Sequence, residues 1–299
     1  MSESEKLEAV RARRPEPAGR QRDTSYPPPP EPLTIPVADS HCHLDIRDGD
    51  TWLDVTEALE IAQGVGVDRV VQIGCDLPSA RWSVEAATAH PSVVAAVALH
   101  PNEAPKLAEQ GDDVLEAALR EIEQLAQHPR VRAIGETGLD YFRTDEGGRE
   151  AQHASFLRHI QIAKTLDKPL VIHDREAHED VLRLVDGAGA PRLVVMHCFS
   201  GDADFARECV DRGFLLSFAG TVTFKNAQEL RDALAVTPLD HVLVETDAPF
   251  LTPAPFRGRP NASYLIPHTI RAMAQVLDLG EDEVAAAVSA NSDRVFGPW

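Results

Sequence analysis

The stretch Val37-Ala38-Asp39-Ser40-His41-Cys42-His43-Leu44-Asp45 decides how the rest of the chain is read. Ile35, Val37 and Ala38 lead into it as a short buried strand. Side chains alternate faces along a strand, so His41 and His43 share one face while Cys42 takes the other. Two imidazoles on one face can close on a single metal ion. An isolated His-x-His means little, because histidine is common in hydrogen-bonded, partly buried positions. Its weight depends on what recurs downstream.

Moving outward, short apolar runs rich in β-branched residues occupy 69–74 (RVVQIG), 93–99 (VVAAVAL), 131–135 (VRAIG) and 169–173 (PLVIH). Others follow at 192–197 (RLVVMH), 214–218 (FLLSF) and 241–246 (HVLVET). With the first strand they make eight, mostly continuous rather than alternating, as in parallel strands covered on both faces. Helical stripes lie between them: Phe156, Leu157, Ile160 and Ala163 in 150–167, and Ala177, Val181, Leu182 and Val185 in 175–186. Eight strand-plus-helix units from 36 to 299 predict a (β/α)8 TIM barrel, an α/β fold of typically about 250 residues. A doubly wound open sheet is the alternative, but no Gly-x-Gly-x-x-Gly or P-loop follows any run.

Residues 1–35 differ from this pattern. They are rich in Arg, Glu and Pro, include Pro27-Pro28-Pro29-Pro30, and balance six basic residues with six acidic ones. Such a segment buries too little surface to offset its ordering entropy, so it reads as a disordered, solvated tail before a single domain at 36–299. No apolar run approaches the length of a membrane span, and the first 35 residues hold no secretory core; a cytoplasmic protein without membrane association is expected. Cys42, Cys75, Cys198 and Cys209 show no paired spacing and are expected as free thiols. A net charge of -19 argues against a protein that holds nucleic acid on a basic surface. It leaves room for an enzyme that meets a phosphate inside a metal-charged pocket.

The strand ends carry the chemistry. They read His41-Cys42-His43, His100-Pro101, Glu136-Thr137-Gly138-Leu139-Asp140, His173-Asp174, His197-Cys198 and Glu245-Thr246-Asp247. In a barrel these ends form one face, where active sites sit. Six ends with His or carboxylate on one rim are hard to explain as packing, because so many polar groups are costly to bury unsatisfied. Six residues fit a site for two divalent ions: His41, His43, Glu136 and Asp247 for one, and Glu136, His173 and His197 for the other, with Glu136 bridging. Zn, Mn and Mg all accept such mixed donors. Two ions about 3.5–4 Å apart suit hydrolysis of a phosphate ester.

DSHCHLD, GETGLDY, HDREA, HCFSG, ETDAPFLTP and RGRPN, spread from 39 to 261, resemble the signature blocks of the TatD family of metal-dependent deoxyribonucleases. That family belongs to the amidohydrolase-like TIM barrels, and NSDRVFG at 291–297 resembles its C-terminal end. The resemblance implies metal-dependent hydrolysis of DNA phosphodiesters with 3′→5′ polarity. It implies the same six ligands, with Asp247 orienting or deprotonating the attacking water, so Asp247 and Glu136 are the catalytic candidates. One departure lies in RGRPNAS, which carries proline and alanine where the family's strand-eight loop is expected to be more charged.

Other roles follow from position. Glu245 points to the same side as Asp247, one layer deeper, where accepting from a ligand histidine would fix that ring's tautomer. His100 and Asp140 are candidates for substrate contact, as are Arg257 and Asn261 in the loop after the last strand. A recessed rim admits a flexible single-stranded DNA end more readily than a duplex, and no obligate protein partner is implied. The competing function is an amidohydrolase acting on C–N or lactone bonds. Such enzymes often bridge their metals with a carboxylated lysine at the end of strand four, where this chain has Glu136. A non-catalytic barrel is the third reading, and the filled set of six ligands argues against it.

Overall fold

The computed structural model describes residues 7–13, 22–48 and 52–299. Eight strands form one parallel sheet in sequential order: β1 (Val37–Cys42), β2 (Val67–Gly74), β3 (Val93–Val97), β4 (Val131–Asp140), β5 (Leu170–Arg175), β6 (Val194–Met196), β7 (Leu215–Phe218) and β8 (Val242–Val244). The ring closes at its C-terminal rim. Cys42 bridges Ala248, Asp247 N–H donates to His41 O at 2.9 Å, and His43 N–H donates to Ala248 O at 2.8 Å. This is the eight-stranded barrel expected from the apolar runs.

The helices are α1 (Val55–Gly64), α2 (Leu77–Ala89), α3 (Ala104–Ala108), α4 (Asp112–Leu125), α5 (Glu146–Thr165), α6 (His178–Ala188), α7 (Ala203–Asp211), α8 (Gln228–Val236), α9 (Ile266–Leu277) and α10 (Glu281–Phe296). Their starts follow local chemistry. Asp76 and Ser79 form a reciprocal capping box at α2, and the Asp202 carboxylate accepts from the first turn of α7. In α5, Phe156, Ile160 and Ala163 face the sheet at four- and three-residue spacing. Leu157, expected in that stripe, is 39% exposed, because one step along a helix turns the side chain by about 100°. None of the helices among the described residues is long and apolar enough to cross a membrane.

Two apolar layers follow from strand parity. Val93, Val97, Leu170, Ile172, Val242 and Val244 face outward onto the helices. Val71, Ile73, Val94, Ala96, Ala133, Val171, Val195, Leu215 and Leu243 fill the interior, with Val295 and Phe296 of α10 in the same cluster. Their small and branched side chains pack the barrel without a pore.

β4 runs further than its apolar run suggests. It continues through Glu136 to Asp140 because Thr137–Asp140 pair with Ile172–Arg175. A Cβ on Gly138 would lie 2.0 Å from His173 O, so glycine is what lets the two backbones meet there.

The expected tail is partly outside the described residues, at 1–6 and 14–21. Its described parts, 7–13 and 22–35, are anchored on the barrel at several points, while many of their residues, Val10, Asp23, Pro28 and Glu31 among them, remain exposed. Arg11–Ala12 pairs with Ile46–Arg47 as two short parallel strands. Trp82 Nε1 donates to Glu8 O at 2.9 Å, Tyr264 Oη to Pro27 O at 2.6 Å, and Arg259 to Ser25 O and Tyr26 O at 3.0 and 2.8 Å. Arg22 pairs with Asp48, and Leu33 is buried. Barrel donors reaching backbone carbonyls hold an extended segment without leaving any apolar periodicity, which is why composition alone suggested a solvated tail.

Candidate metal centre

The rim gathers the other five expected ligands around Glu136. Its Oε1 lies 3.6 Å from His41 Nε2 and 3.6 Å from His43 Nε2. Its Oε2 lies 2.8 Å from His197 Nε2 and 3.1 Å from His173 Nδ1. Asp247 Oδ1 sits 3.3 Å from His43 Nε2 and 3.8 Å from His41 Nε2. The His41 and His197 rings stack with centroids 3.8 Å apart.

Position along the strands explains most of this convergence. His173, His197 and Glu245 stand two residues beyond Val171, Val195 and Leu243 of the interior layer, on the same face. Glu136 does not follow that parity from Ala133. It arrives through a register irregularity between Ile134 and Thr137. Asp247 has a left-handed φ of 53° and Cys198 one of 45°, conformations that non-glycine residues hold only where the surroundings impose them.

The donor set fits divalent cations. His41 is fully buried, yet neither ring nitrogen has a hydrogen-bond partner among the described residues. His41, His43 and Glu136 bring ligand atoms within 4.8 Å of one another, and so do Glu136, His173 and His197. His41, His197 and Asp247 form a further such group, as do His100, Asp140 and His173. Burial alone would push the Glu136 carboxyl up, but His197, His100 and His173 hold it well below the usual carboxylate range. Asp247 behaves alike: burial raises it, and His43 with the His41 and His197 charges brings it down. Both carboxylates are thus ionised and aimed at the same space.

Supporting residues fix the rings. Glu245, fully buried, accepts from Cys198 N–H at 2.8 Å and sits 3.2 Å from His197 Nδ1, so a proton on Nδ1 leaves His197 Nε2 bare toward Glu136. His100 Nε2 is 3.8 Å from Glu136 Oε2, its Nδ1 accepts from Asn102 N–H at 3.0 Å, and its ring meets His173 edge-on at 4.5 Å. Burial holds the His100 ring down at about 3 against the attraction of Glu136, so it is neutral at physiological pH. Asp140 Oδ2 lies 3.4 Å from His173 Nε2 and accepts from Asn102 Nδ2 at 3.0 Å.

The two loop candidates separate from the cluster. The Arg257 guanidinium stacks over the Phe224 ring at 4.2 Å and is exposed. Asn261 is buried, and its amide is used up inside the loop: Nδ2 donates to Thr246 O at 3.0 Å and Phe250 O at 2.6 Å, while Oδ1 accepts from Ala262 N–H at 3.0 Å. It braces the loop that carries Asp247 and presents no polar atom to a substrate.

Several site residues escaped the sequence reading. Asp39 accepts from His41 N–H at 3.2 Å and from Thr246 N–H at 2.9 Å, tying β1 to the end of β8. Its period-two spacing with His41 and His43 was the available signal. The Cys75 thiol donates to Glu136 Oε1 at 3.3 Å. His159 of α5 accepts from Leu99 N–H at 3.1 Å, beside His100. Phe142 is 58% exposed just beyond Asp140, with the Arg175 guanidinium 3.9 Å over its ring. Arg11 meets Asp45 and His43 from the N-terminal segment.

Residues 38–297 match the family model for TatD-related DNases. The chain is 46% identical over 268 residues to an uncharacterized metal-dependent hydrolase, TatD, of Mycobacterium tuberculosis, covering 87% of this chain and 98% of that one. It is 37% identical over 259 residues to the uncharacterized metal-dependent hydrolase YabD of Bacillus subtilis, covering 86% and 98%. Among solved structures, the TatD homologue YjjV of Escherichia coli superposes with a TM-score of 0.77 at 27% identity, covering 88% and 98%. A TatD family hydrolase of Entamoeba histolytica, 18% identical, shares the fold with a TM-score of 0.75 over 90% and 99%.

Proposed function

Because the chain belongs to the TatD-related DNase family of metal-dependent hydrolases, we propose that it cleaves DNA phosphodiester bonds, working 3′→5′ from single-stranded ends. The observation that carries the reading is the placement of Glu136, whose two oxygens each face a separate pair of histidines. His41, His43, Glu136 and Asp247 would hold one divalent ion, and Glu136, His173 and His197 a second. Such ions would supply Lewis-acid polarisation of a phosphoryl oxygen and lower the pKa of water.

The chain's own residues do the rest. Asp247 is 16% exposed in its side chain, the more open of the two central carboxylates, and is the proton acceptor for an attacking water. Glu245 keeps His197 oriented. The neutral His100 ring and Asp140 border the outer side of His173, where they are placed to contact substrate. Phe142 with Arg175 offers a flat face for an unpaired base just past the strand ends. DNA is the proposed partner, and the proposed setting is cytoplasmic.

An end-labelled oligonucleotide assay tests this. Shortening of single-stranded DNA from its 3′ end, abolished by chelator and restored by Mn²⁺, is the expected result. Rapid hydrolysis of a cyclic amide with no action on DNA would favour the amidohydrolase reading instead.

A further inference from the structure

We propose that the N-terminal segment Leu7–Arg13 is part of the metal centre, where Arg11 lowers cation affinity at the His43 position. The proposal rests on the reading of His43 as a metal ligand. The segment lies before residue 38, where the family match begins. It is docked by its pairing with Ile46–Arg47 and by Trp82 on Glu8 O, which bring Arg11 directly beside the His-x-His stretch.

Arg11 reaches Asp45 and His43, with the Cys75 thiol also beside it. It donates to the fully buried Asp45 through Nε at 2.5 Å and Nη2 at 3.0 Å, and the same Nη2 lies 3.3 Å from His43 Nδ1. Ile73 O also lies 3.3 Å from His43 Nδ1, and Cys75 Sγ 3.8 Å from it. Arg11 and Ile73 ask for opposite tautomers. A guanidinium only donates, so a hydrogen bond from Arg11 puts the ring proton on Nε2, facing Asp247. A carbonyl only accepts, so a hydrogen bond to Ile73 O puts the proton on Nδ1 and leaves the Nε2 lone pair toward Glu136 and Asp247. Only the second arrangement ligates a cation through Nε2. Arg11 therefore favours the ion-free ring, and the carbonyl favours the ligating one.

The charges act in the same direction. Removing Arg11 takes a cation from beside His43 and leaves Asp45 with Gln72 Nε2 at 2.9 Å as its remaining side-chain donor among the described residues. The pair thus gives a test with opposite signs: losing the cation strengthens binding of a positive ion, and losing the anion weakens it. A segment that merely props the fold would make both substitutions weaken it.

The test uses the full chain, stripped with chelator and titrated with Mn²⁺ alone, with bound ion read by electron paramagnetic resonance and folding checked by a melting curve. Arg11→Gln is expected to bind the ion at the His43 position about tenfold more tightly, and Asp45→Asn about tenfold more weakly. The double variant should return toward wild type, and Arg11→Lys should stay closer to wild type than Arg11→Gln does. In a His43→Ala background the effect of Arg11→Gln should vanish. Unchanged or weakened binding in Arg11→Gln overturns the proposal. If that variant fails to fold, Asp45→Asn decides, and wild-type affinity there overturns it equally. Retention of every ion at wild-type affinity by His43→Ala would instead refute the ligand assignment, a separate failure.

Discussion

The barrel interior and its C-terminal rim are made by the same strands, and in four of them two residues separate a dry layer from a polar one that is largely buried. Val171 gives way to His173, Val195 to His197, Leu215 to Ser217 and Leu243 to Glu245. The lower layer is apolar and stabilises by leaving water. The upper layer is nearly as buried but holds ionised carboxylates and a histidine whose ring nitrogens have no hydrogen-bond partner among the described residues. Burial of that kind costs free energy unless a cation or a substrate satisfies the groups. One layer therefore specifies the fold, and the layer above draws on that rigidity to hold groups that disfavour it.

The sharpest way to break this contrast is Glu136→Ala. With the shared carboxylate gone, both proposed cation positions should empty and hydrolysis should disappear, whereas His173→Ala should weaken mainly one position. Metal counting on the purified variants decides it; Glu136→Ala holding two ions at wild-type affinity would refute the map. Next comes Asp247→Asn, which keeps the shape but removes the base. Cleavage should slow by about 10²–10⁴-fold at any metal concentration, while binding of single-stranded DNA measured by anisotropy persists.

The lower layer should respond in stability instead. Leu215→Ala in β7 lies beneath Ser217, which is not a proposed ligand. It should cost about 2–5 kcal/mol in denaturant unfolding, with activity per folded molecule near wild type. Equal loss of stability and of activity per folded molecule would mean that the layers are not separable.

The smallest expected effect concerns Asp39, which belongs to the upper layer in sequence but is sealed beneath it. Burial pushes its carboxyl up to about 6, against hydrogen bonds from Thr246 and His41. A carboxyl raised in the folded state binds its proton more tightly there than in the unfolded chain. Its contribution is therefore most favourable below the unfolded value near 4 and is lost as pH rises toward 6. Asp39→Asn removes this dependence. In metal-free protein, wild type should lose at most about 3 kcal/mol relative to the variant between pH 4 and pH 7. Parallel stability profiles for the two proteins would contradict that.

The eight strands and most of the rim were legible in the sequence, because parallel strands buried on both faces are written as continuous apolar runs and parity then aligns the residues after each run. His173 and His197 could be placed on one face from that rule alone, and His41 and His43 could be set side by side, although β1 carries register shifts between Val37 and Ala38 and between Asp39 and Cys42. Glu245 could also be set a layer below Asp247 by counting. Tertiary structure alone decided the rest. Glu136 reaches the centre through an irregular register against β5, which no period-two count from Ala133 supplies. Asn261 turned inward because the loop after β8 needed its amide for backbone carbonyls. The N-terminal segment docked because side chains far along the chain reach its carbonyls and because Asp45 and Asp48 bind its arginines. Local sequence encodes which face a side chain takes. Partners 11 to 237 residues away, which leave no periodicity, encode where an irregular backbone comes to rest.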